Sequence, residues 1–228
     1  MQQSKVRRER EERRRQEYHR LILQAAEKVV AQKGASAMTM DDVAREAAFS
    51  KATLYHYFRS KSEILLELLE SFFEEINREV LKIKTLKLGA AEKLKRAIRF
   101  YLQSNQEKEN ISRMLMMDRS FMEKMKILVI DEKDSVSEKD RQFINRLKDK
   151  RREILDSGAA ILREGMASGE FRKVDVPSAV TFLEAVLWGY CHVRFWRDRK
   201  YSVREATNFI HGFMLEGLKK DENGKGDC

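Results

Sequence analysis

The chain has 228 residues, 42% hydrophobic and 36% charged, with ten Gly, a single Pro and a formal charge of +9. That length gives one or two domains with a real core, and so little Pro and Gly favours helices. No apolar run reaches the roughly 18 residues of a membrane span. The basic start MQQSKVRRERE has no apolar stretch behind it and does not read as a secretory leader. Cys191 and Cys228 form neither a metal spacing nor a disulfide framework, so a reduced, cytoplasmic protein is expected.

Residues 1–17 are a charged arm, containing SKVRREREERRRQE, with no apolar stripe to pack; they are either an extension of the first helix or a disordered segment. From Tyr18 the period changes. Leu21, Ile22, Ala25, Val29 and Val30 fall at helical spacing, and Gly34 ends the run. Then TMDDVAREAAFSKATLYHYFRSK, residues 39–61, holds three helix starts: Thr39 three residues before Asp42, Ser50, and Ser60 with Glu63 as a capping box. Only Ala47-Ala48-Phe49-Ser50 separates the first two. Val43, Ala44, Ala47, Leu54 and Phe58 give both short helices a shared buried face. This is helix-turn-helix spacing, and it leaves Lys51, Ala52, Thr53, Tyr55, His56 and Tyr57 facing outward. A helix about 10–12 Å across fits the major groove of duplex DNA. Residues 1–61 hold 14 Lys and Arg against 8 Asp and Glu, so most of the positive excess lies on the segment expected to meet phosphates.

The stretch TLYHYFRSKSEIL, within a match from about Leu21 to Leu69, closely resembles the DNA-binding signature of the TetR/AcrR family of transcription regulators. By that resemblance Lys51, Ala52 and Tyr55 approach base edges, with His56 beside them. Thr39, Thr53, Tyr57 and Lys61 match positions that hold backbone phosphates. The chemistry agrees, since Lys can donate to guanine and helix N-termini favour anions. The family generally carries Gly where Ala48 stands; Ala fits unless the turn needs a positive φ, which costs roughly 1 kcal/mol.

After Lys61 an apolar face continues through Ile64, Leu68, Phe72, Ile76 and Val80, with no break from Ser60 to Leu88. A helix of that length can act as a lever between two sites, the role the resemblance implies for it. Further helices are expected at 91–106, from Ser112 to about Ile130, from Ser137 to Ser168, from Asp175 to Trp196, and after the Ser202–Glu205 cap. Residues 131–137 read as a polar loop and 221–228 as a disordered tail. The fold class is therefore all-α: a three-helix DNA-binding domain at 18–62, then a helical ligand-binding and dimerisation domain at 63–220.

In the family the C-terminal domain binds a small molecule that resets the spacing of two DNA-binding heads. Flexible, polarizable methionine suits a greasy ligand. The candidate lining is Phe72, Tyr101, Met114, Met117, Phe121, Met125, Met166, Trp188, His192 and Phe195, although core packing accounts for the same residues. Adjacent residues on a helix point about 100° apart, so Cys191 and His192 do not chelate one ion. Neither a phosphate loop, a hydrolase elbow nor a zinc spacing occurs; no enzyme, metal or cofactor is expected. The last two helices carry more aromatic surface than a solvated pair needs, and by resemblance they form a homodimer. The resulting expectation is a regulator, a repressor in most of the family, released from double-stranded DNA at a palindromic operator by a lipophilic effector. The alternative is a DNA-bound adaptor whose C-terminal domain binds a protein partner.

Overall fold

Local capping signals set the helix boundaries. The computed structural model describes residues 2–117, 138–196 and 201–218, and among them every regular element is a helix. In chain order these are α1 (Gln2–Lys33), α2 (Met40–Glu46), α3 (Lys51–Tyr57), α4 (Lys61–Thr85), α5 (Ala90–Glu107), α6 (Glu109–Met117), α7 (Glu138–Ser168), α8 (Val176–Arg194) and α9 (Val203–Leu218). Of the two readings of the charged arm, the helical one is realised: it forms the first turns of α1. The 131–137 loop, the 221–228 tail, and Phe121 and Met125 lie outside the described residues. Gly34 at φ +80° closes α1, its N–H donating to Val30 O at 2.8 Å, and Gly169 at φ +80° follows α7.

The described residues group into two compact units. The first comprises Met1–Phe72 with Glu109–Phe121. It reaches past the expected boundary at 62 because Ile64, Leu65, Leu68 and Leu69 are buried there. α6 joins the same unit by packing on α1, where Asn110 Nδ2 donates to Ala31 O at 3.1 Å. Its core is Ile22, Ala26, Val30, Met38, Val43, Leu54 and Phe58, all nearly inaccessible. The apolar stripe of α1 is thus the floor on which α2 and α3 rest. Truncating Leu54 to Ala there would cost roughly 2–5 kcal/mol.

The second unit comprises Phe73–Lys108 and Met122–Cys228. Here α5 packs against α7, α8 and α9, and α7 packs against α8. Polar side chains pin the layers. Lys93, buried on α5, donates to both carboxylate oxygens of Glu164 on α7, at 2.7 and 2.9 Å. Glu170 accepts from the Ala90 and Ala91 N–H groups at 3.1 and 2.6 Å, supplying the cap that Gly89 has no side chain to make. A Cβ at Gly89 would come within 2.5 Å of that carboxylate, so the small residue lets Glu170 reach the helix end. The Asn77 amide of α4 donates to Glu153 of α7. At α9 the Ser202–Glu205 capping box forms in full. At α4 it forms in altered form: Glu63 N–H donates to Ser60 Oγ at 3.2 Å, while the Glu63 carboxylate takes the Arg59 N–H at 2.6 Å.

Candidate nucleic-acid interface and ligand cavity

The turn between α2 and α3 fixes where the face of α3 points. Ala48 N–H donates to Arg45 O at 3.1 Å and Phe49 N–H to Ala44 O at 2.9 Å. These are the two bonds of a Schellman closure, which needs a left-handed residue between helix end and exit. Ala48 is that residue, at φ +55°. The substitution for the usual Gly therefore carries the strain that a positive φ imposes on a Cβ. The Phe49 ring leaves the turn to lie 4.8 Å from the Tyr18 ring, anchoring the exit to α1.

The cap of α2 is heavily bonded. Thr39 Oγ1 accepts from Asp42 N at 3.2 Å, and Thr39 N and Oγ1 both donate to Asp42 Oδ2, at 3.2 and 2.8 Å. Lys33 Nζ lies 2.7 Å from Asp42 Oδ1. The Lys33 ammonium first, then the Thr39 hydroxyl, hold the Asp42 carboxyl down to about 2. Ser50 caps α3 by accepting from Thr53 N at 3.0 Å, and its hydroxyl meets Thr53 Oγ1 at 2.8 Å.

On α3 the buried positions are Leu54 and, at the cap, Phe58, while Lys51, Ala52, Tyr55 and His56 are exposed and Thr53 and Tyr57 half-buried. Tyr55, 51% exposed, does not pack into the core of the head. Tyr57 instead packs 6.1 Å from the Tyr18 ring, with His56 edge-on at 5.3 Å. Lys51 Nζ lies 2.6 Å from Asp41 Oδ2, and Lys61 Nζ donates to Ser36 O at 2.6 Å. The two lysines singled out in the sequence are therefore held in the unbound head by partners that spacing alone did not point to.

The second unit contains an apolar cavity of about 100 Å³. Phe73, Ile76 and Val80 of α4, Leu94, Ile98 and Tyr101 of α5, and Leu187 and Trp188 of α8 line it, and α7 closes another side. Of the expected ligand residues it gathers Tyr101 and Trp188. Phe72, Met166, His192 and Phe195 are not in its lining; Met166 Sδ instead accepts from Val174 N, and His192 is exposed. The side chains of Met114 and Met117, like Phe121 and Met125, are outside the described residues. Burial raises the Tyr101 phenol well above the ordinary tyrosine range, so it is a neutral hydrogen-bonding group. Burial pushes the Cys191 thiol up to about 12, making it inert as a nucleophile. Sequence reasoning missed Leu94 and Ile98 as lining because their spacing matches any buried stripe.

Along α8 and α9, Phe182, Phe209 and Phe213 are 69%, 78% and 71% exposed, with Trp196 at 69% just after α8. This is more exposed aromatic surface than a solvated helix pair needs. Among the described residues, no helix is long and apolar enough to cross a membrane, and no group of His, Cys, Asp and Glu could hold a metal.

A capped short helix, a tight Schellman turn and a second helix with an open polar face define a helix-turn-helix head. Residues 22–68 match the family model of the bacterial regulatory proteins, tetR family. The match covers the helix-turn-helix head, which is similar to that of the family. The chain is 34% identical over 85 residues to the transcriptional regulator BetI of Agrobacterium fabrum, a match covering 37% of this chain and 41% of BetI. It thus spans less than half of that relative's length. A longer similarity, 26% over 204 residues, covers 86% of this chain and 93% of the fatty acid metabolism regulator protein of Bacillus subtilis. The fold is similar to that of the transcriptional regulator FadR from Bacillus subtilis, solved in complex with stearoyl-CoA. The TM-score is 0.66 at 22% identity, over 87% of this chain and 98% of that one. These relatives are named as regulators rather than enzymes, in keeping with a sequence that holds no catalytic constellation.

Proposed function

We propose that the chain is a ligand-responsive, sequence-specific DNA-binding transcription regulator, a repressor released from a palindromic operator by a small lipophilic effector. The observation that carries this reading is α3, whose Leu54 is buried and whose Lys51, Ala52 and Tyr55 stand open on the other side. In this reading Lys51 exchanges Asp41 for a guanine edge, and Ala52 with the Tyr55 ring packs on a thymine methyl. Thr39, Thr53, Tyr57 and Lys61 hold phosphates and set the register.

The exposed aromatics of α8 and α9 support a homodimer, because burying Phe182, Phe209 and Phe213 in a two-fold interface removes them from water. Two identical heads then read half-sites spaced by about one turn of DNA, roughly 34–36 Å, or a multiple. The apolar cavity supports an aliphatic effector. The fatty acid regulator among the relatives and the stearoyl-CoA of the FadR complex favour an acyl chain. Binding in the cavity shifts α4, which supplies Phe73, Ile76 and Val80 to the lining and starts at Lys61 in the head. To carry the population from 1:99 to 99:1 the effector must prefer the releasing state by about 5.5 kcal/mol.

The test is binding of the purified protein to duplex DNA flanking its own gene, at two salt concentrations, with random-sequence competitor. One dimer per site, surviving competitor, and release on adding a long-chain acyl-CoA are the expected results. Binding that vanishes with competitor and modest salt would leave only phosphate attraction and refute the proposal.

A further inference from the structure

We propose that the ion pair Arg151–Glu184 is a latch on the apolar cavity, opened by an amphipathic effector whose anionic head group takes the place of the Glu184 carboxylate on Arg151. The inference rests on the reading of this cavity as the effector site and assigns its selectivity.

Four observations lead to it. Arg151 and Glu184 are the charged residues of a lining that is otherwise apolar apart from Tyr101. They form a fork, Arg151 Nε to Glu184 Oε1 at 2.6 Å and Nη2 to Oε2 at 2.5 Å, the geometry in which a guanidinium holds a carboxylate most specifically. The pair joins α7 to α8, two of the helices that enclose the cavity. Its side chains are 47% and 19% exposed, so it stands at the solvent edge, with the carboxylate the more covered partner.

The volume gives the pair a task. A cavity of about 100 Å³ is smaller than the roughly 150 Å³ space that accommodates one benzene ring. A chain of a dozen or more carbons therefore enters only if the walls separate, and the fork ties two of those walls. Separating them for a neutral lipid leaves the Arg151 guanidinium without its carboxylate beside an apolar surface, which is unfavourable. A carboxylate or phosphate at the end of the entering chain restores the fork on Arg151, while Glu184 turns outward to water. Arg151 also lies in a basic run, Arg146-Leu147-Lys148-Asp149-Lys150-Arg151-Arg152, whose positive excess favours an anion at this edge. The latch thus admits anionic amphiphiles and rejects neutral ones of equal length.

The probes are sodium palmitate, palmitoyl-CoA and hexadecanol, titrated into the full-length protein and read by Trp188 fluorescence, with Trp196→Phe as background. In that background the anions are expected to bind at least tenfold tighter than the alcohol. Arg151→Gln should abolish this preference by weakening the anions tenfold or more while leaving hexadecanol unchanged or tighter. Glu184→Gln, which keeps the cation and removes its internal competitor, should tighten the anions severalfold; it is read alone if Arg151→Gln does not fold by circular dichroism. Binding of palmitoyl-CoA without palmitate identifies phosphate as the anion, binding of palmitate identifies carboxylate, and either supports the latch. A preference that survives Arg151→Gln, or variants that shift all three probes equally, overturns the latch while the cavity remains an effector site. Failure of every probe to bind any form overturns the cavity reading, and the latch with it.

Discussion

Ala48→Gly isolates the strain in the helix-turn-helix turn. Ala48 sits at φ +55°, where a Cβ crowds the following carbonyl at a cost of roughly 1–2 kcal/mol, and Gly has no such penalty. Against this, Gly adds flexibility to the unfolded chain, an offset of about 0.4–1 kcal/mol. The lost methyl is exposed, so no packing is removed, and both Schellman hydrogen bonds use backbone atoms that remain. The net expectation is a head stabilised by roughly 0.5–1 kcal/mol, which for a unit of this size raises its melting temperature by about 2–8 °C. Both tryptophans, Trp188 and Trp196, lie in the second unit, so fluorescence does not follow the head. The measurement is hydrogen exchange at the amides of α2 and α3, with far-UV circular dichroism for the melt. Slower exchange there, with no change in α7–α9, is the expected result. An Ala48→Gly protein whose head exchanges at the same rate or faster would falsify the strain argument.

Three further outcomes are expected. Lys51→Ala should lower discrimination between operator and random DNA, whereas Lys61→Ala should weaken all sequences alike and also lose the bond to Ser36 O; equal loss of specificity in both would contradict the assigned roles. Because the Asp42 carboxyl is held down to about 2 in the folded head, it binds fewer protons than in the unfolded chain below about pH 4. Its contribution to stability is present above that pH and is lost as pH falls toward 2. Thermal melts at pH 5 and pH 3 should show head destabilisation that is smaller in Asp42→Asn, and an identical pH dependence in both would refute the linkage. Phe209→Glu with Phe213→Glu should yield monomers on analytical ultracentrifugation while the far-UV spectrum is unchanged; a persisting dimer would remove α9 from the interface.

What was legible in the sequence is whatever is decided within a turn or two of chain. Thr39 with Asp42, Ser50, Asp175, and Ser202 with Glu205 mark helix starts because a side-chain oxygen and an orphan N–H three residues on form a local unit. Gly34 and Gly169 mark helix ends because a left-handed residue follows a helix most readily as Gly. The period of Ile22, Ala25, Val29 and Val30 gave the buried face of α1, and the short spacing from Val43 to Leu54 gave the helix-turn-helix with its outward side chains. The tertiary structure alone decided what depends on residues distant along the chain. Ala48 takes a positive φ in a turn whose exit lays the Phe49 ring against Tyr18 of α1, a partner 31 positions away in the chain. Lys61 reaches Ser36 across 25 positions, and Glu170 caps α5 across 80. The cavity was the least legible, since a buried stripe reads the same whether it meets another wall or leaves a gap. Only the packing of α4, α5, α7 and α8 selects Leu94, Ile98, Tyr101 and Trp188 as its lining and brings Arg151 to Glu184 at its edge.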